Sequence, residues 1–399
     1  MTQSCDILIS GGGIAGLAAA AAFGTAGYAV ICVDPAPPIT DRDADGADMR
    51  TTAMLQPARD LLRAAGVWDA LAPYGSALEV MQIVDAGGGD GSARTAKAFR
   101  ASDVSDLPFG WNFQNWRLRQ VLVQRLADLS TVDFRPGVGA ETLLRRTAEA
   151  RVGLSDGTQV RTRLVIAADG RNSPMREAAG IAVHTRRYGQ KALAFAVTHP
   201  EPHDNISTEV HQTGGPFTLV PLPDHQGQPC SAVVWMDDGP KSLARYTADI
   251  SDFEAEMTAR SCGVLGPLTL ASPRSIWPII SQHADRLSGE RIALVAEAAH
   301  VVPPIGAQGL NMSLADIRTL LDLARPDTLG DASMLEAYHK ARFADIRMRV
   351  AGIDLLNRTS QAAAPWMRDA RAFGVKALHE VAPVRRTLMQ LGLGTRKAG

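Results

Sequence analysis

The sequence predicts an α/β fold: a mostly parallel sheet with helices, an inserted, mostly antiparallel β-sheet and a C-terminal helical region. Three observations support this prediction. The chain opens with an apolar run, a glycine-rich turn and an alanine-rich helical stretch. Two further apolar runs, at 164–168 and 291–295, lead directly into segments rich in glycine or proline. Between these runs lie alternating stretches separated by turn residues, which is typical of antiparallel strands.

Composition narrows the classes of protein that this chain could represent. Its 399 residues carry a net charge of −1, so no nucleic-acid partner is expected. The four cysteines have no CxxC spacing, and neither a metal site nor a disulfide framework is predicted. The stretch 7–33 lacks charged residues but contains six glycines, which favours a buried strand, turn, helix and strand over a membrane span. We therefore expect a cytoplasmic protein.

The opening elements form a Rossmann-like dinucleotide-binding unit. Gly11, Gly13 and Gly16 make a GxGxxG pattern, and Asp34 follows about 20 residues later. Gly11 allows a tight turn, Gly13 lets a diphosphate approach the backbone, and Gly16 lets the helix pack against the strand. Asp34 is predicted to accept hydrogen bonds from ribose hydroxyls. The predicted elements are a strand at 6–10, a helix at 17–26 and a strand at 29–33. The predicted contacts are Gly11, Gly13, Ile14, Ala15, Gly16 and Asp34.

A second motif follows the apolar strand at 164–168. The sequence DGRNSPMR at 169–176 resembles the DG motif of the group A flavoprotein hydroxylases, the para-hydroxybenzoate hydroxylase type. The resemblance implies that Asp169 contacts FAD and that the segment also takes part in NAD(P)H recognition. Ser173 is, in addition, a suitable helix N-cap.

The third motif is longer. The sequence AEAAHVVPPIGAQGLN at 296–311, followed by Asp316, resembles the family signature GDAAHxxPPxxGQGLNxxxxD. Two departures stand out. Ala296-Glu297 replaces Gly-Asp, and Ala307 replaces a glycine. Glu297 keeps the carboxylate that the family uses to bind the ribityl chain of FAD but adds a methylene. His300 is expected to be a buried, hydrogen-bonded structural residue.

Within this family, the chain is most similar to the branch that hydroxylates ubiquinone precursors. The shared features are Arg50 with Ala53, the run 66–68 (GVW), and Asn115 with 118–119 (LR). The fold implied is the FAD-binding domain of the para-hydroxybenzoate hydroxylase type. Further FAD contacts implied by the resemblance are Arg50, Arg119, Val138, Asp169, Glu297, Pro304, Gly309, Leu310 and Asn311.

The predicted domains are not sequential. The FAD-binding domain comprises 1–75, 105–182 and 283–330, the substrate-binding β-sheet domain comprises 76–104 and 183–282, and a helical region covers 331–399. Strands are predicted at 78–85, 206–211, 216–221, 231–236 and 275–280. Candidate walls of the substrate pocket are Phe217, Leu219, Val220, Trp235 and Pro303.

The C-terminal region is strongly basic. From Lys340 onward it has twelve basic and four acidic residues, a charge of +8, with apolar residues interleaved. Such a tail either packs on the FAD domain, rests on the inner face of a membrane, or contacts a partner in a biosynthetic complex.

The resemblance implies an FAD-dependent monooxygenase. NADH or NADPH reduces FAD, O2 then gives a flavin C4a-hydroperoxide, and one oxygen atom passes to an aromatic ring. The helix starting near 309–311 would stabilise negative charge on the reduced flavin, and Pro303-Pro304 would fix a rigid loop beside it. The sequence identifies no catalytic acid or base.

Three functions remain open at this stage. The first is hydroxylation of a polyprenylated phenol in ubiquinone biosynthesis. The second is hydroxylation of a small phenol in catabolism or secondary metabolism. The third is a non-catalytic FAD-binding scaffold subunit, which the altered pair Ala296-Glu297 motivates.

Overall fold

The computed structural model describes residues 2–86, 95–212, 214–361 and 389. Its strands are β1 (Thr2–Ser10), β2 (Val30–Asp34), β3 (Thr51–Leu55), β4 (Ser76–Leu78), β5 (Val80–Asp85), β6 (Thr95–Arg100), β7 (Gly110–Gln114), β8 (Val132–Pro136), β9 (Ala140–Arg145), β10 (Ala150–Leu154), β11 (Gln159–Ala167), β12 (Val183–Thr198), β13 (Ile206–Gln212), β14 (Gly215–His225), β15 (Gln228–Asp238), β16 (Thr269–Leu270), β17 (Ser275–Ala284), β18 (Ser288–Gly289), β19 (Ile292–Leu294) and β20 (His300–Val301). Its α-helices are α1 (Ile14–Thr25), α2 (Gln56–Ala64), α3 (Trp68–Leu71), α4 (Asn115–Ala127), α5 (Pro174–Ala178), α6 (Gly239–Thr247), α7 (Ile250–Arg260), α8 (Gln308–Leu323) and α9 (Ala332–Gln361).

The first sheet is largely parallel and buried. Its strand order is β18-β19-β11-β1-β2-β8, and β9 and β10 form an antiparallel extension beside β11. Ile7 lies opposite Leu164 in the register of β1 and β11, and both are fully buried. Helix α1 is apolar all round because it packs between this sheet and helices α4 and α8. The apolar runs seen in the sequence are the strands of this sheet.

The second sheet has the order β20-β17-β12-β15-β14-β13-β5-β6, with β16 beside β12. Its pairs are antiparallel except β13 with β5, which is parallel. One face packs on helix α7 through an aromatic cluster that includes Phe195, Phe217, Trp235 and Phe253. The opposite face of this sheet is turned towards the largely parallel sheet.

A small third sheet, β3-β7-β4, lies between the two larger ones. Asn112 on β7 donates a hydrogen bond from Nδ2 to the carbonyl oxygen of Pro221 on β14, at 3.0 Å. This buried contact joins the small sheet to the nine-stranded sheet, and a cavity lies beside it.

Several predicted elements differ from the observed ones. The prediction of one strand at 78–85 is wrong, because β4 ends at Leu78 and belongs to the small sheet, whereas β5 belongs to the nine-stranded sheet. The long strand β12 was not predicted. The strands predicted at 216–221 and 231–236 are longer than expected and meet in a tight hairpin, because Gln226 and Gly227 adopt left-handed backbone conformations and the strands continue to His225 and Gln228.

The division of the chain into domains stays a prediction, although strand membership supports it. The strands of the parallel sheet fall within 1–75, 105–182 and 283–330, and most strands of the nine-stranded sheet fall within 76–104 and 183–282. The predicted C-terminal helical region begins with α9. Its remainder, 362–388 and 390–399, lies outside the described residues. Among the described helices, none is long and apolar enough to cross a membrane.

Helices α8 and α9 are joined by a buried ion network. His300 Nε2 lies 2.7 Å from Asp316 Oδ2, and Arg342 Nε donates to Asp316 Oδ1 at 2.8 Å. Burial would raise the pKa of the Asp316 carboxyl, but His300 and Arg342 outweigh this and hold the pKa below its ordinary value. His300 is therefore buried and hydrogen-bonded, as the sequence predicted.

Candidate active site

One cavity of about 990 Å³ is lined by all three sequence motifs and by the inner face of the nine-stranded sheet. From the first motif, Gly11, Gly13, Ile14, Ala15 and Asp34 line it. Residues that are more than 250 positions apart thus share one site, because the ends of β1, β2, β11 and β19 meet at the same edge of the sheet.

The first motif has the geometry that its glycines predict. Gly11 has a φ of +111°, and a Cβ atom there would overlap the carbonyl oxygen of Ala168. A Cβ at Gly16 would overlap the carbonyl oxygen of Gly11, so α1 can approach β1 only with glycine at this position. A Cβ at Gly13 would meet no other atom within 4 Å, and this residue faces the cavity. Gly16 itself packs and does not line the cavity.

Asp34 stands at the end of β2 on the cavity wall. Its Oδ2 accepts a hydrogen bond from the Gly12 N–H at 2.5 Å, and its Oδ1 accepts one from the Ala36 N–H at 2.8 Å. These bonds hold the carboxylate beside the glycine turn. Its predicted contact with a ribose stays a prediction.

The DG motif surrounds a buried carboxylate. Asp169 accepts hydrogen bonds from the Ser173 hydroxyl, from the Met175 N–H at 3.1 Å and from the Ser10 hydroxyl at 3.4 Å. Burial raises the pKa of Asp169, and these bonds offset only part of the effect. Ser173 also accepts from the Arg176 N–H at 3.0 Å and caps α5, as predicted.

The DG motif is also tied to the third motif. The Arg176 guanidinium donates to the carbonyl oxygen of Ala298 at 3.0 Å. This bond lies in the protein interior, so the two segments keep a fixed separation on one side of the cavity.

The structure explains why the family signature has glycine at positions 296 and 307. Ala296 and Ala307 have φ values of +56° and +55°, the left-handed region in which glycine is favoured. Both alanines are therefore strained where the family has glycine. Glu297 is exposed. It lines the cavity together with Pro303, Pro304, Gly309 and Leu310.

Asn311 has a different position from the one predicted. It does not line the cavity. Its Oδ1 accepts from the Leu55 N–H at 2.9 Å, and its Nδ2 donates to the carbonyl oxygens of Ala53 at 2.7 Å and Ala307 at 2.6 Å. Asn311 thus joins the start of α8 to strand β3, and any contribution to cofactor binding acts through that backbone.

Arg50 and Arg119 both line the cavity and share one carboxylate that the sequence did not single out. Asp48 accepts two hydrogen bonds from the Arg50 side chain, at 2.7 and 2.8 Å, one from Arg119 at 3.2 Å and one from Asn115 at 3.1 Å. Burial would raise the pKa of Asp48, but the hydrogen bonds from Arg50, together with Asn115 and Arg119, outweigh burial and hold the pKa below its ordinary value. No short sequence motif predicts the role of Asp48, because its partner Arg119 is 71 positions away.

Three predicted walls of the substrate pocket are wrong by one residue. Phe217, Leu219 and Trp235 are buried in the aromatic cluster on the opposite face of the sheet. Their neighbours Thr218, Val220 and Val234 line the cavity instead. Val138 likewise packs against the core, and the cavity is lined there by 139–141. Val220 and Pro303 do line the cavity, and their contact with a substrate stays a prediction.

A second cavity of about 550 Å³ adjoins the first and shares Arg171 and 278–280 with it. Its four cationic lining residues are Arg171, Arg176, Arg187 and Lys191, and among the described residues no carboxylate lines it.

The residues of the main cavity fit FAD. Helices α1 and α8 both begin at the cavity without a side-chain cap, so the N–H groups of their first turns are suited to bind anionic groups. Gly13 leaves room for a diphosphate beside the first of these helices, and the far wall is apolar enough for a flavin ring and an aromatic substrate.

Comparison with known proteins agrees with this geometry. Ubiquinone hydroxylase UbiL of Rhodospirillum rubrum is 32% identical over 400 residues, which cover 99% of this chain and 90% of that relative. The 3-demethoxyubiquinol 3-hydroxylase of Escherichia coli is 28% identical, with coverage of 98% and 99%. The structure of p-nitrophenol 4-monooxygenase PnpA from Pseudomonas putida superimposes with a TM-score of 0.78 at 16% identity, covering 99% of this chain and all of that one. A family model described as FAD binding domain matches residues 4–351. The chain therefore belongs to this FAD-binding family, and FAD is its cofactor.

Proposed function

We propose that this protein is an FAD-dependent monooxygenase that hydroxylates the aromatic ring of a polyprenylated phenol in ubiquinone biosynthesis, using NAD(P)H and O2. The observation that carries the proposal is the single cavity in which cofactor motifs and an apolar sheet face meet. The two ubiquinone-pathway hydroxylases that resemble nearly the whole chain support the choice of substrate.

FAD, when bound, supplies the oxygen-transfer chemistry, and the chain provides binding, orientation and exclusion of water. The N-terminus of α8 lies at the cavity, where its dipole stabilises negative charge. Leu78, Phe109, Val220 and Ile279 make the opposite walls apolar, which keeps water from the reacting ring and suits a substrate with a hydrocarbon tail.

The basic second cavity is the site that we propose for the phosphate groups of the nicotinamide cofactor. Arg171, Arg187 and Lys191 have no carboxylate partner among the described residues, and the cavity adjoins the one that holds the FAD motifs, with Arg171 and 278–280 shared between them. Replacing Arg187 or Lys191 by alanine should raise KM for NADPH about tenfold with little change in kcat, because each loses a charge-assisted hydrogen bond.

Association with a membrane surface is a further part of this proposal. Met348 and Leu355 on α9 are 60% and 63% exposed. Arg347 directly precedes Met348, and Arg358 lies three positions after Leu355. This combination suits an anionic lipid surface, where a polyprenylated substrate would reside. Co-sedimentation with phosphatidylglycerol vesicles, and its loss in the Arg347→Glu/Arg358→Glu variant, tests this part separately.

The catalytic proposal is tested with holoenzyme, NADPH, O2 and 2-geranylphenol as the probe. We expect faster NADPH oxidation with the probe present and a product that carries one additional oxygen atom. Val220→Phe should slow this reaction by narrowing the cavity, whereas Thr218→Ser, a matched change on the same wall, should not.

Two outcomes would replace the proposal. Turnover of 4-hydroxybenzoate without turnover of the prenylated probe would favour the small-phenol hydroxylase. Tightly bound FAD with no NADH or NADPH oxidation in the presence of any phenol would favour the scaffold subunit.

A further inference from the structure

The sheet wall of the main cavity contains one charged residue. Strands β5, β12, β13, β14, β15 and β17 supply its lining, and of the described residues that line the cavity from these strands only Glu209 carries a charge. The other polar groups that β13 and β14 place there are the hydroxyls of Ser207 and Thr218. A carboxylate on an otherwise uncharged and largely apolar wall costs free energy of desolvation, so its presence calls for a binding or chemical role.

The strand register explains how Glu209 reaches the cavity. Successive side chains of β13 alternate between the two faces of the sheet. Val210 is fully buried in the aromatic cluster, so its neighbours Glu209 and His211 lie on the cavity face. Glu209 lies opposite Thr218 in the register of β13 and β14, and both line the cavity.

His211 holds Glu209 in place. Its Nε2 lies 2.7 Å from Glu209 Oε1, and the two side chains are only 17% and 18% exposed. Because an ionised carboxylate can only accept, Nε2 of His211 carries a proton and donates it in this hydrogen bond. Nδ1 of His211 is buried and has no partner among the described residues. The other carboxylate oxygen accepts no hydrogen bond from the described residues, which leaves it to a group within the cavity.

The carboxyl group is ionised at neutral pH. Burial would raise the pKa of Glu209, but the neighbouring His211 outweighs this and holds the pKa below its ordinary value. An ionised carboxylate accepts hydrogen bonds and repels anions, which restricts the chemistry that it can serve.

We propose that Glu209 is the catalytic base that accepts the proton of the substrate's ring hydroxyl, and that His211 is the residue that positions it. This inference rests on the proposed function, because it requires a phenol as the substrate. It also assigns a specificity: a neutral phenol binds, whereas a phenol that carries a carboxylate near its hydroxyl is repelled.

The proton balance is simple. As a ring carbon bonds to the incoming oxygen atom, the O–H bond of the ring hydroxyl breaks and its proton passes to Glu209. The same carbon then loses its hydrogen as a proton to solvent, and the electron pair of the C–H bond restores the aromatic ring. Glu209 returns its proton to the ring oxygen. The incoming oxygen atom comes from O2, whose O–O bond breaks as the bond to carbon forms. The other oxygen atom leaves as water, with two electrons from NAD(P)H and two protons, and both O2 and NAD(P)H are co-substrates of the proposed function.

The decisive experiment compares 2-geranylphenol with its methyl ether, which lacks the proton. In holoenzyme, Glu209→Gln should lower kcat on the phenol by about 100-fold or more, the usual contribution of a general base. The same variant should leave the rate on the ether near that of the wild type. Glu209→Asp should recover part of the loss, and His211→Phe should show a smaller loss, again on the phenol alone. Glu79→Gln, at an exposed site beside β5, is the matched control and should behave as wild type.

A binding measurement serves as a second readout that does not depend on turnover. Titration of the oxidised holoenzyme, followed by the change in flavin absorbance, should show about tenfold weaker binding of the phenol to Glu209→Gln and unchanged binding of the ether. Equal losses on phenol and ether, or wild-type rates and affinities in Glu209→Gln, would overturn the inference. If the wild type hydroxylates only a different phenol, the choice of substrate fails, and the same comparison with that phenol and its ether still decides the role of Glu209.

Discussion

Ala307 offers a direct test of backbone strain at the cofactor site. Its φ and ψ of +55° and +28° are left-handed, which costs an alanine roughly 1–2 kcal/mol that glycine avoids. Glycine loses more conformational entropy on folding, about 0.5–1 kcal/mol. Ala307 is only half-buried, so little packing is lost. Ala307→Gly should therefore stabilise the protein by about 0.5–1 kcal/mol.

Ala296 has the same left-handed backbone strain as Ala307, but its side chain is buried. Its φ is +56° and it is only 7% exposed, so removal of its methyl group costs about 0.8 kcal/mol of burial. The gain and the loss nearly cancel, and Ala296→Gly should be close to neutral. Ala298 is the control, because it is fully buried and its φ is not left-handed. Ala298→Gly should destabilise by about 1–2 kcal/mol, the sum of lost burial and added entropy.

The assay is urea unfolding of the three variants and the wild type at one saturating FAD concentration, with FAD affinity measured separately. The expected order of stability is Ala307→Gly, then wild type and Ala296→Gly together, then Ala298→Gly. If Ala307→Gly unfolds at as low a urea concentration as Ala298→Gly, position 307 is not strained, and the explanation given for the family's glycine is wrong.

Three further predictions concern the same framework. Gly16→Ala should abolish retention of FAD on gel filtration, because its methyl group would overlap the backbone of the glycine turn. In the control variant Gly352→Ala, the new methyl group would meet no atom within 4 Å, and the protein should retain FAD. Arg342→Met should cost about 3–5 kcal/mol in urea unfolding by leaving Asp316 under-compensated, and the Asp316→Asn/Arg342→Met double variant should cost less than the sum of the single changes. The pKa of Asp48 is lower in the folded state than in the unfolded state, so its ionisation stabilises the fold. This contribution to the free energy of unfolding is complete above the ordinary pKa of 3.8 and is lost as the pH falls through the lower folded-state pKa. Wild type and Asp48→Asn should therefore differ in urea midpoint at pH 7 and converge in strong acid, and a constant difference at all pH values would contradict this.

The sequence predicted best those parts that local chemistry determines. The strands and helix around Gly11 and Gly16 follow from apolar runs and from positions where only glycine fits, and each signal lies within a few residues of its effect. The same holds for Ser173, whose capping role depends on a neighbour three positions away.

Other features depend on contacts that no short stretch of sequence reveals. Leu219 and Val220 are both apolar because one faces the aromatic cluster and the other faces an apolar cavity, so alternation could not tell the two faces apart. The break between β4 and β5 depends on which sheet each strand joins. Asp48 and Glu209 were missed because the role of each depends on a partner side chain and on a cavity that form only in the folded protein, and neither belongs to a motif.

Hydrogen bonds to backbone atoms explain how this chain accommodates changes at cofactor-facing positions of the family signature. Arg176 binds the backbone of the third motif, and Asn311 binds the backbone of β3. Both use carbonyl or N–H groups, which do not depend on the side chain at the bonded position. The shape of the cavity is therefore set by backbone contacts, and a substitution such as Glu297 for aspartate changes one contact at the wall without moving the wall. The altered pair Ala296-Glu297 therefore changes one contact with FAD and leaves the rest of the binding site intact. This favours an active oxygenase over a non-catalytic scaffold subunit.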